Sequence, residues 1–232
     1  MLYRKKREAK EVRGMNKSVY SIVLADDVVE AVDAMAYSMN TSRSNLINQI
    51  LAEKVQCVTP EMRMRDIFSK IEQLMDSRFQ FMDQPSDAMI SIRSPLKYKY
   101  KPTIRYSVEL SRDFQGKVGK LKVALRTQSA GLINAVNGFF EKWQKLENKY
   151  LSELYVDNVP CKIEEGRFTR AFYSPSQSAL SDEDIANAIG EYIRLMDKCI
   201  QIYFDGLTAE RDSFGEIEKT YREYLSKGVF IM

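Results

Sequence analysis

β-branched and aromatic residues dominate residues 18–24, and a period of two places Tyr20, Ile22 and Leu24 on one side of an extended chain. This period of two predicts a strand. Asp26 and Asp27 then supply the acids that favour a helix start. Four apolar residues follow at spacings of four, three and four, which places them on one face of a helix: Val28, Val32, Met35 and Met39.

A tight turn and a second helix follow the first one. Asn40 can adopt the left-handed conformation that ends a helix, and Thr41 or Ser42 can cap the next. The apolar face of that next helix consists of Leu46, Ile47, Ile50 and Leu51. Residues 18–56 are therefore predicted to form one unit of strand, helix, turn and helix.

The same pattern returns 86 residues further along the chain. Without a gap, Leu24 then falls on Leu110, and the triplet Leu46-Ile47-Asn48 falls on Leu132-Ile133-Asn134. We therefore predict a second unit within residues 103–157, whose last helix begins near Ala130 and continues through Leu151.

Capping signals mark the other helices. Thr59 and Pro60 begin a helix in the connector, residues 57–102, where residues 89–93 and 96–105 read as extended. Ser181 and Asp184 form a capping box ahead of a long apolar stripe. A last helix carries Phe214, Ile217, Tyr221 and Leu225, and residues 158–180 are expected to be irregular. The predicted fold class is mainly α with a short antiparallel β-ribbon, a tandem pseudo-dimer followed by a helical C-terminal region, residues 158–232.

Composition narrows the function classes. Hydrophobic residues make up 44% of the chain and charged residues 29%, and no apolar run is long enough to span a membrane. The N-terminus does not read as a secretory signal, so we expect a cytoplasmic protein that does not contact membranes. The chain has three cysteines, far apart, and no histidine. We expect no disulfide framework, no metal, no cofactor and no enzymatic activity.

Charge is unevenly distributed along the chain. Residues 1–17 carry seven bases and two acids, whereas residues 181–232 carry eleven acids and six bases. A basic, flexible arm of this kind suits a polyanionic partner, although a merely solvated terminus explains it equally well. The arm's candidate contacts to DNA phosphates are Arg4, Lys5, Lys6 and Arg7.

The first unit, from Tyr20 to Asn48, resembles the ribbon-helix-helix superfamily of Arc, MetJ and CopG repressors. In that superfamily two units intertwine, their strands pair antiparallel, and the resulting ribbon enters the major groove of duplex DNA. The resemblance implies a bacterial protein that binds double-stranded DNA with sequence specificity, as a transcriptional repressor or a regulator of a mobile element.

The resemblance also assigns roles to residues. The outward strand residues would read base edges: Val19, Ser21, Val23, Arg105, Ser107 and Glu109. The starts of the second helices would hold phosphates: Thr41, Ser42, Arg43, Thr127, Gln128 and Ser129. The two valines depart from the usual polar pattern and offer contacts only to thymine methyl groups, and Glu109 would repel phosphates unless it accepts from cytosine.

Two basic clusters have alternative explanations. Lys97, Lys99 and Lys101 alternate with tyrosines, which suits either contacts to phosphates or protection of an edge strand. The second cluster lies along the predicted first helix of the second unit and is most simply a solvated face: Lys117, Lys120, Lys122 and Arg126.

Two arrangements remain open. The two units could pair within one chain as a pseudo-dimer, or equivalent units could pair across two chains of a homodimer. An alternative function is a protein-interaction scaffold, such as an antitoxin or accessory factor. Its ribbon would serve dimerisation, and its C-terminal region would bind a protein partner.

Overall fold

The computed structural model describes residues 18–82, 87–99, 101–112, 116–155, 158–174 and 180–228. The basic arm, with Arg4, Lys5, Lys6 and Arg7, lies outside these residues. The chain divides into two compact units, residues 1–47 and residues 48–232.

Residues 26–54 contain the helix, turn and helix predicted for the first repeat, and the second of these helices extends past residue 47 into the larger unit. Helix α1 spans Asp26–Ser38 and α2 begins at Arg43, continuing to Lys54. Asn40 separates them with a φ of 50°, the left-handed conformation expected from its side chain. Residues 18–25 pair with no strand in the described part of the chain.

The larger unit is built on one antiparallel sheet of six strands. In chain order these are β1 (Gln80–Phe81), β2 (Met89–Pro95), β3 (Thr103–Leu110), β4 (Lys117–Arg126), β5 (Cys161–Glu164) and β6 (Arg167–Tyr173). Their order across the sheet is β1-β2-β3-β4-β6-β5. Four further helices are α3 (Pro60–Leu74), α4 (Ala130–Leu151), α5 (Asp182–Thr208) and α6 (Phe214–Leu225).

The predicted fold class is wrong. A six-stranded sheet replaces the short ribbon, and the second ribbon-helix-helix unit does not exist, so no tandem pseudo-dimer can form. The segment predicted as its first helix is strand β4, which hydrogen-bonds to β3 along its length. The physical reason is its alternation, since Leu121, Val123 and Leu125 are buried while Lys122 and Arg126 are exposed.

The segment 158–180, expected to be irregular, contains the hairpin of β5 and β6. Gly166 follows β5 with a φ of +66°, which allows the tight reversal between the two strands. The capped helices are confirmed. Thr59 accepts a hydrogen bond from the Met62 amide, and Ser181 and Asp184 form the predicted capping box.

The helices pack on one face of the sheet. On β3 the side chains of Ile104, Tyr106 and Val108 are buried, while the residues between them are half-exposed. Phe140 of α4 stacks on Phe168 of β6 with ring centroids 5.5 Å apart. The helix-covered side is the inner face, and the opposite side of the sheet is called the open face below.

Two polar pairs are buried among the apolar side chains of the inner face. Arg170 of β6 lies over the rings of Phe172 and Tyr192, with its Nε 2.9 Å from the Glu147 carboxylate. Asp197 of α5 accepts a hydrogen bond of 2.9 Å from the Tyr106 hydroxyl. Burial raises the pKa of the Asp197 carboxyl, because water no longer stabilises its charge.

Gly119 is required where β3 and β4 come closest. A Cβ atom at this position would lie 2.4 Å from the backbone oxygen of Glu109. We expect Gly119→Ala to lower the free energy of unfolding by about 1–3 kcal/mol, since the strands must separate. The control is Gly215→Ala in α6, where an added Cβ meets no atom within 4 Å. Urea unfolding measures both, and equal stability of the two variants would contradict the assigned contact.

Asp197→Asn should make the protein more stable at neutral pH. The amide still accepts from Tyr106 and can donate to the Ser94 hydroxyl, which contacts the carboxylate in the wild type. Because the folded protein raises the pKa of Asp197, wild-type stability falls as the pH rises above the ordinary carboxyl range. Urea unfolding between about pH 4 and about pH 7 should show the variant's advantage growing with pH. Asp205→Asn, at an exposed position of the same helix, should show no such advantage.

Candidate nucleic-acid interface

The segment of residues 18–25 exposes apolar side chains on both of its sides. Val19 and Val23 are 100% exposed, Tyr20 is 83% exposed and Ile22 is 57% exposed. Contiguous apolar surface of this kind marks an interaction site, because its burial is favourable. Within this segment, the positions that were predicted to read bases are Val19, Ser21 and Val23, and all three are open to solvent.

The two helices that follow also leave their apolar stripes uncovered. On α1, Val28, Met35 and Met39 are each close to half exposed. On α2, Leu46 is buried but Ile50 and Leu51 are exposed. The predicted apolar faces therefore exist, and a single chain buries them only in part.

The start of α2 is held by two side chains of the turn. Ser42 Oγ accepts from the Asn45 amide at 3.2 Å, and Thr41 Oγ1 accepts from Asn45 Nδ2 at 2.9 Å. The first amides of a helix have no acceptor within it, so those of Arg43 and Ser44 are free to face an anion. Together with the helix dipole they form the kind of site that binds a phosphate.

Arg43 already has an anionic partner. Its Nε and Nη2 atoms donate to the two carboxylate oxygens of Asp33 on α1, which lowers the pKa of that carboxyl. Both side chains are about half exposed. A phosphate at this position would compete with Asp33 for the guanidinium, a partner that the sequence pattern did not indicate.

The base-reading residues of the supposed second ribbon lie instead in the middle of the sheet. Arg105, Ser107 and Glu109 project from the open face of β3. Arg105 Nη2 donates to the Ser91 hydroxyl at 3.3 Å, and Glu109 forms an ion pair of 2.8 Å with Lys120. They do not lie on a two-stranded ribbon, so the geometry on which their predicted role depended is absent.

The supposed second phosphate clamp caps a long helix. Ser129 Oγ accepts from the Leu132 amide at the start of α4, and Thr127 Oγ1 accepts from the Ser129 amide at 3.1 Å. Gln128 is exposed beside them. These contacts are those of an ordinary helix cap.

The three lysines of the alternating basic cluster lie in the turn between β2 and β3. Lys97, Lys99 and Lys101 are exposed, and Lys101 has a φ of 43°, so the segment does not continue as a strand. Tyr98 points inward and its ring packs against Phe204, with centroids 5.1 Å apart. The cluster therefore adds positive charge at one end of the sheet.

Other kinds of site find little support in the residues that the structure describes. Among them, no three Asp, Glu or Cys side chains approach closely enough to hold a metal ion, and no helix combines the length and apolarity that crossing a membrane requires. The three cysteines are free, with Cys57 exposed, Cys161 half-buried and Cys199 buried.

Comparisons of the chain with models of known protein families, with curated proteins and with solved structures find no match. The geometry of the chain itself is therefore the basis for its proposed function.

Proposed function

We propose that residues 18–56 form a ribbon-helix-helix DNA-binding module that a second copy of this chain completes. The observation that carries the proposal is the exposed, largely apolar segment 18–25 directly ahead of two helices whose apolar stripes are also partly uncovered. In an antiparallel pair of such segments, Tyr20, Ile22 and Leu24 of each chain would face the helices. Fully burying a large apolar side chain contributes about 1.5–3 kcal/mol, so six of them favour pairing strongly.

The paired segments would present the other side of the ribbon to DNA. Ser21 can donate to or accept from a base edge, and the flanking Val19 and Val23 can contact thymine methyl groups. Such a surface reads few bases and favours sites rich in A·T pairs. The α2 start would hold a phosphate and fix the position of the ribbon.

Charge would supply much of the affinity. The chain has a net charge of +3, and pairing doubles it and brings together two copies of the basic arm. We infer that the protein acts in the bacterial cytoplasm as a transcriptional regulator or a regulator of a mobile element.

A second candidate function is a protein-interaction scaffold. The two fully exposed valines on the groove side of the ribbon favour it, because they suit an apolar protein surface as well as thymine methyl groups. In that case the paired module would bind a protein partner and leave DNA unbound.

Ile22→Glu should prevent pairing of the chains. Its carboxylate would be buried between the strands and the helices, which costs several kcal/mol. We expect sedimentation to show a monomer and fluorescence anisotropy to show no binding to duplexes selected from a randomised library. Val58→Glu is the control, because Val58 is 66% exposed outside the segment and should leave both properties unchanged. If Ile22→Glu still dimerises, the strand assignment is wrong.

Val23→Glu should separate DNA binding from pairing. Its side chain would lie on the outer side of the ribbon, where a carboxylate meets phosphates and not the apolar interior. We expect a dimer by sedimentation and at least about a tenfold weaker affinity for the selected duplex, a decrease of about 1.4 kcal/mol. An unchanged DNA affinity in a dimeric Val23→Glu variant would exclude the ribbon as the DNA-reading surface. Capture of a protein partner without DNA binding would support the scaffold instead.

A further inference from the structure

The open face of the sheet is strongly basic. We count the side chains of this face on β2, β3, β5 and β6, and on β4 from Lys120 onward. They comprise seven cations and two carboxylates, a net charge of +5. The cations are Arg93, Arg105, Lys120, Lys122, Arg126, Lys162 and Arg167. Antiparallel sheets commonly leave one face to water, but such a face usually mixes charges of both signs.

Only some of the cations on this face have an acidic partner. Glu109 pairs with Lys120, and Glu164 lies 2.7 Å from Lys162 and 3.7 Å from Arg167. Within the described residues, no carboxylate lies within 4 Å of the remaining four cations, which are Arg93, Arg105, Lys122 and Arg126.

Two of these cations lie directly opposite each other. Arg93 of β2 and Arg105 of β3 are register partners, and like charges in this position repel. The Nε atoms of both are buried and find no hydrogen-bond acceptor among the described residues. Ser91 and Ser107 lie one step along the same two strands, with their hydroxyls 3.2 Å apart. The two guanidinium groups therefore offer donors for which no carboxylate of the described residues supplies an acceptor.

The basic residues continue as a row across the sheet. Arg105 is in register with Ala124 of β4, which is in register with Arg167 of β6. Strands lie about 4.8 Å apart, so the row from Arg93 to Arg167 spans roughly 14 Å. Duplex DNA carries one phosphate charge for about every 1.7 Å of its axis, so a stretch of this length presents about eight.

The side chains between the cations are small. Ser107, Ala124, Thr169 and Ala171 leave the face flat, and in its described part the only aromatic residue is Tyr173 at the end of β6. Proteins that hold single strands usually stack the bases on aromatic rings. This face lacks such a platform and suits a backbone of phosphates.

We infer that the open face binds the phosphate backbone of duplex DNA, independently of base sequence, with the Arg93–Arg105 pair as its principal contact. The choice of duplex DNA as the partner rests on the proposed function, whereas the surface belongs to the other compact unit of the chain. The ribbon would select the site, and the open face would add affinity that depends on salt.

The test compares four full-length proteins on one labelled duplex of unrelated sequence and on the corresponding single strand. They are the wild type, Arg93→Gln/Arg105→Gln, the ribbon variant Val23→Glu, and Lys145→Gln/Lys219→Gln. The last removes two charges from exposed positions of α4 and α6, and is the matched control. Anisotropy titrations at several salt concentrations give the dissociation constant and its salt dependence.

For the arginine variant we expect at least about a tenfold weaker binding to the duplex. The slope of log K against log salt should become shallower by about 0.9 for each phosphate that the variant no longer neutralises. The control variant Lys145→Gln/Lys219→Gln should match the wild type in duplex affinity and in salt dependence. Thermal melting without DNA should show the arginine variant to be as stable as the wild type or more stable, because the repulsion between the two guanidinium groups is gone. A purely structural role for the pair predicts lower stability and an unchanged slope.

The other outcomes separate the two proposals. If the arginine variant binds like the control while Val23→Glu no longer binds, the open face is not a DNA surface and the ribbon proposal stands. If only the arginine variant loses affinity for this unrelated duplex, the open face stands, and the ribbon proposal is then decided by Val23→Glu on the selected duplex. A clear preference for the single strand, or no binding by the wild type, overturns the assignment of duplex DNA to this face.

Discussion

The amphipathic sheet of the larger unit is the constraint on which the rest of the structure depends. Along β3 and β4 every second side chain is buried, so one face must be covered by apolar partners. Helices α3, α4 and α5 provide that cover, and even the polar groups of the inner face are tied to them. Tyr106 donates to Asp197 of α5, and Arg170 lies against Glu147 of α4. Because the helices are all on one side, the other face is free to carry charge.

Helices could be predicted from the sequence where their signals are local. The cap Thr59 ahead of Pro60, and the capping box of Ser181 and Asp184, act within one turn and need no distant partner. The prediction of a second repeat was wrong although its matches lay mostly in a true strand, β3, and in a true helix start near Ala130. The error was to interpret the segment between them as a helix. The alternation around Leu121 and Val123 was present in the sequence. The β5–β6 hairpin was hidden because Arg170 occupies a buried position, which a hydrophobicity pattern does not reveal.

The features of the candidate interface were likewise predictable only where they depend on neighbouring residues in the chain. The left-handed Asn40 and the cap Ser42 were predictable, since each depends on its own turn. The ion pair of Arg43 with Asp33 was not, because it joins two helices whose relative geometry only the folded unit fixes. The open face was missed for a similar reason. Arg93 and Arg105 are twelve residues apart, and only the register of β2 and β3 places them opposite each other.

In the larger unit, the two sides of the sheet differ in charge. Residues 181–228 carry eleven acids against six bases and form α5 and α6, which belong to the helical layer over the inner face. The net +5 of the open face lies on the opposite side of the sheet. A polyanion approaching this unit is therefore attracted to one side and repelled from the other, and the repulsion fixes its orientation as effectively as the attraction does. For the proposed ribbon, which would have one polar residue, Ser21, on its outer side, an oriented electrostatic contact of this kind would supply affinity that base reading lacks.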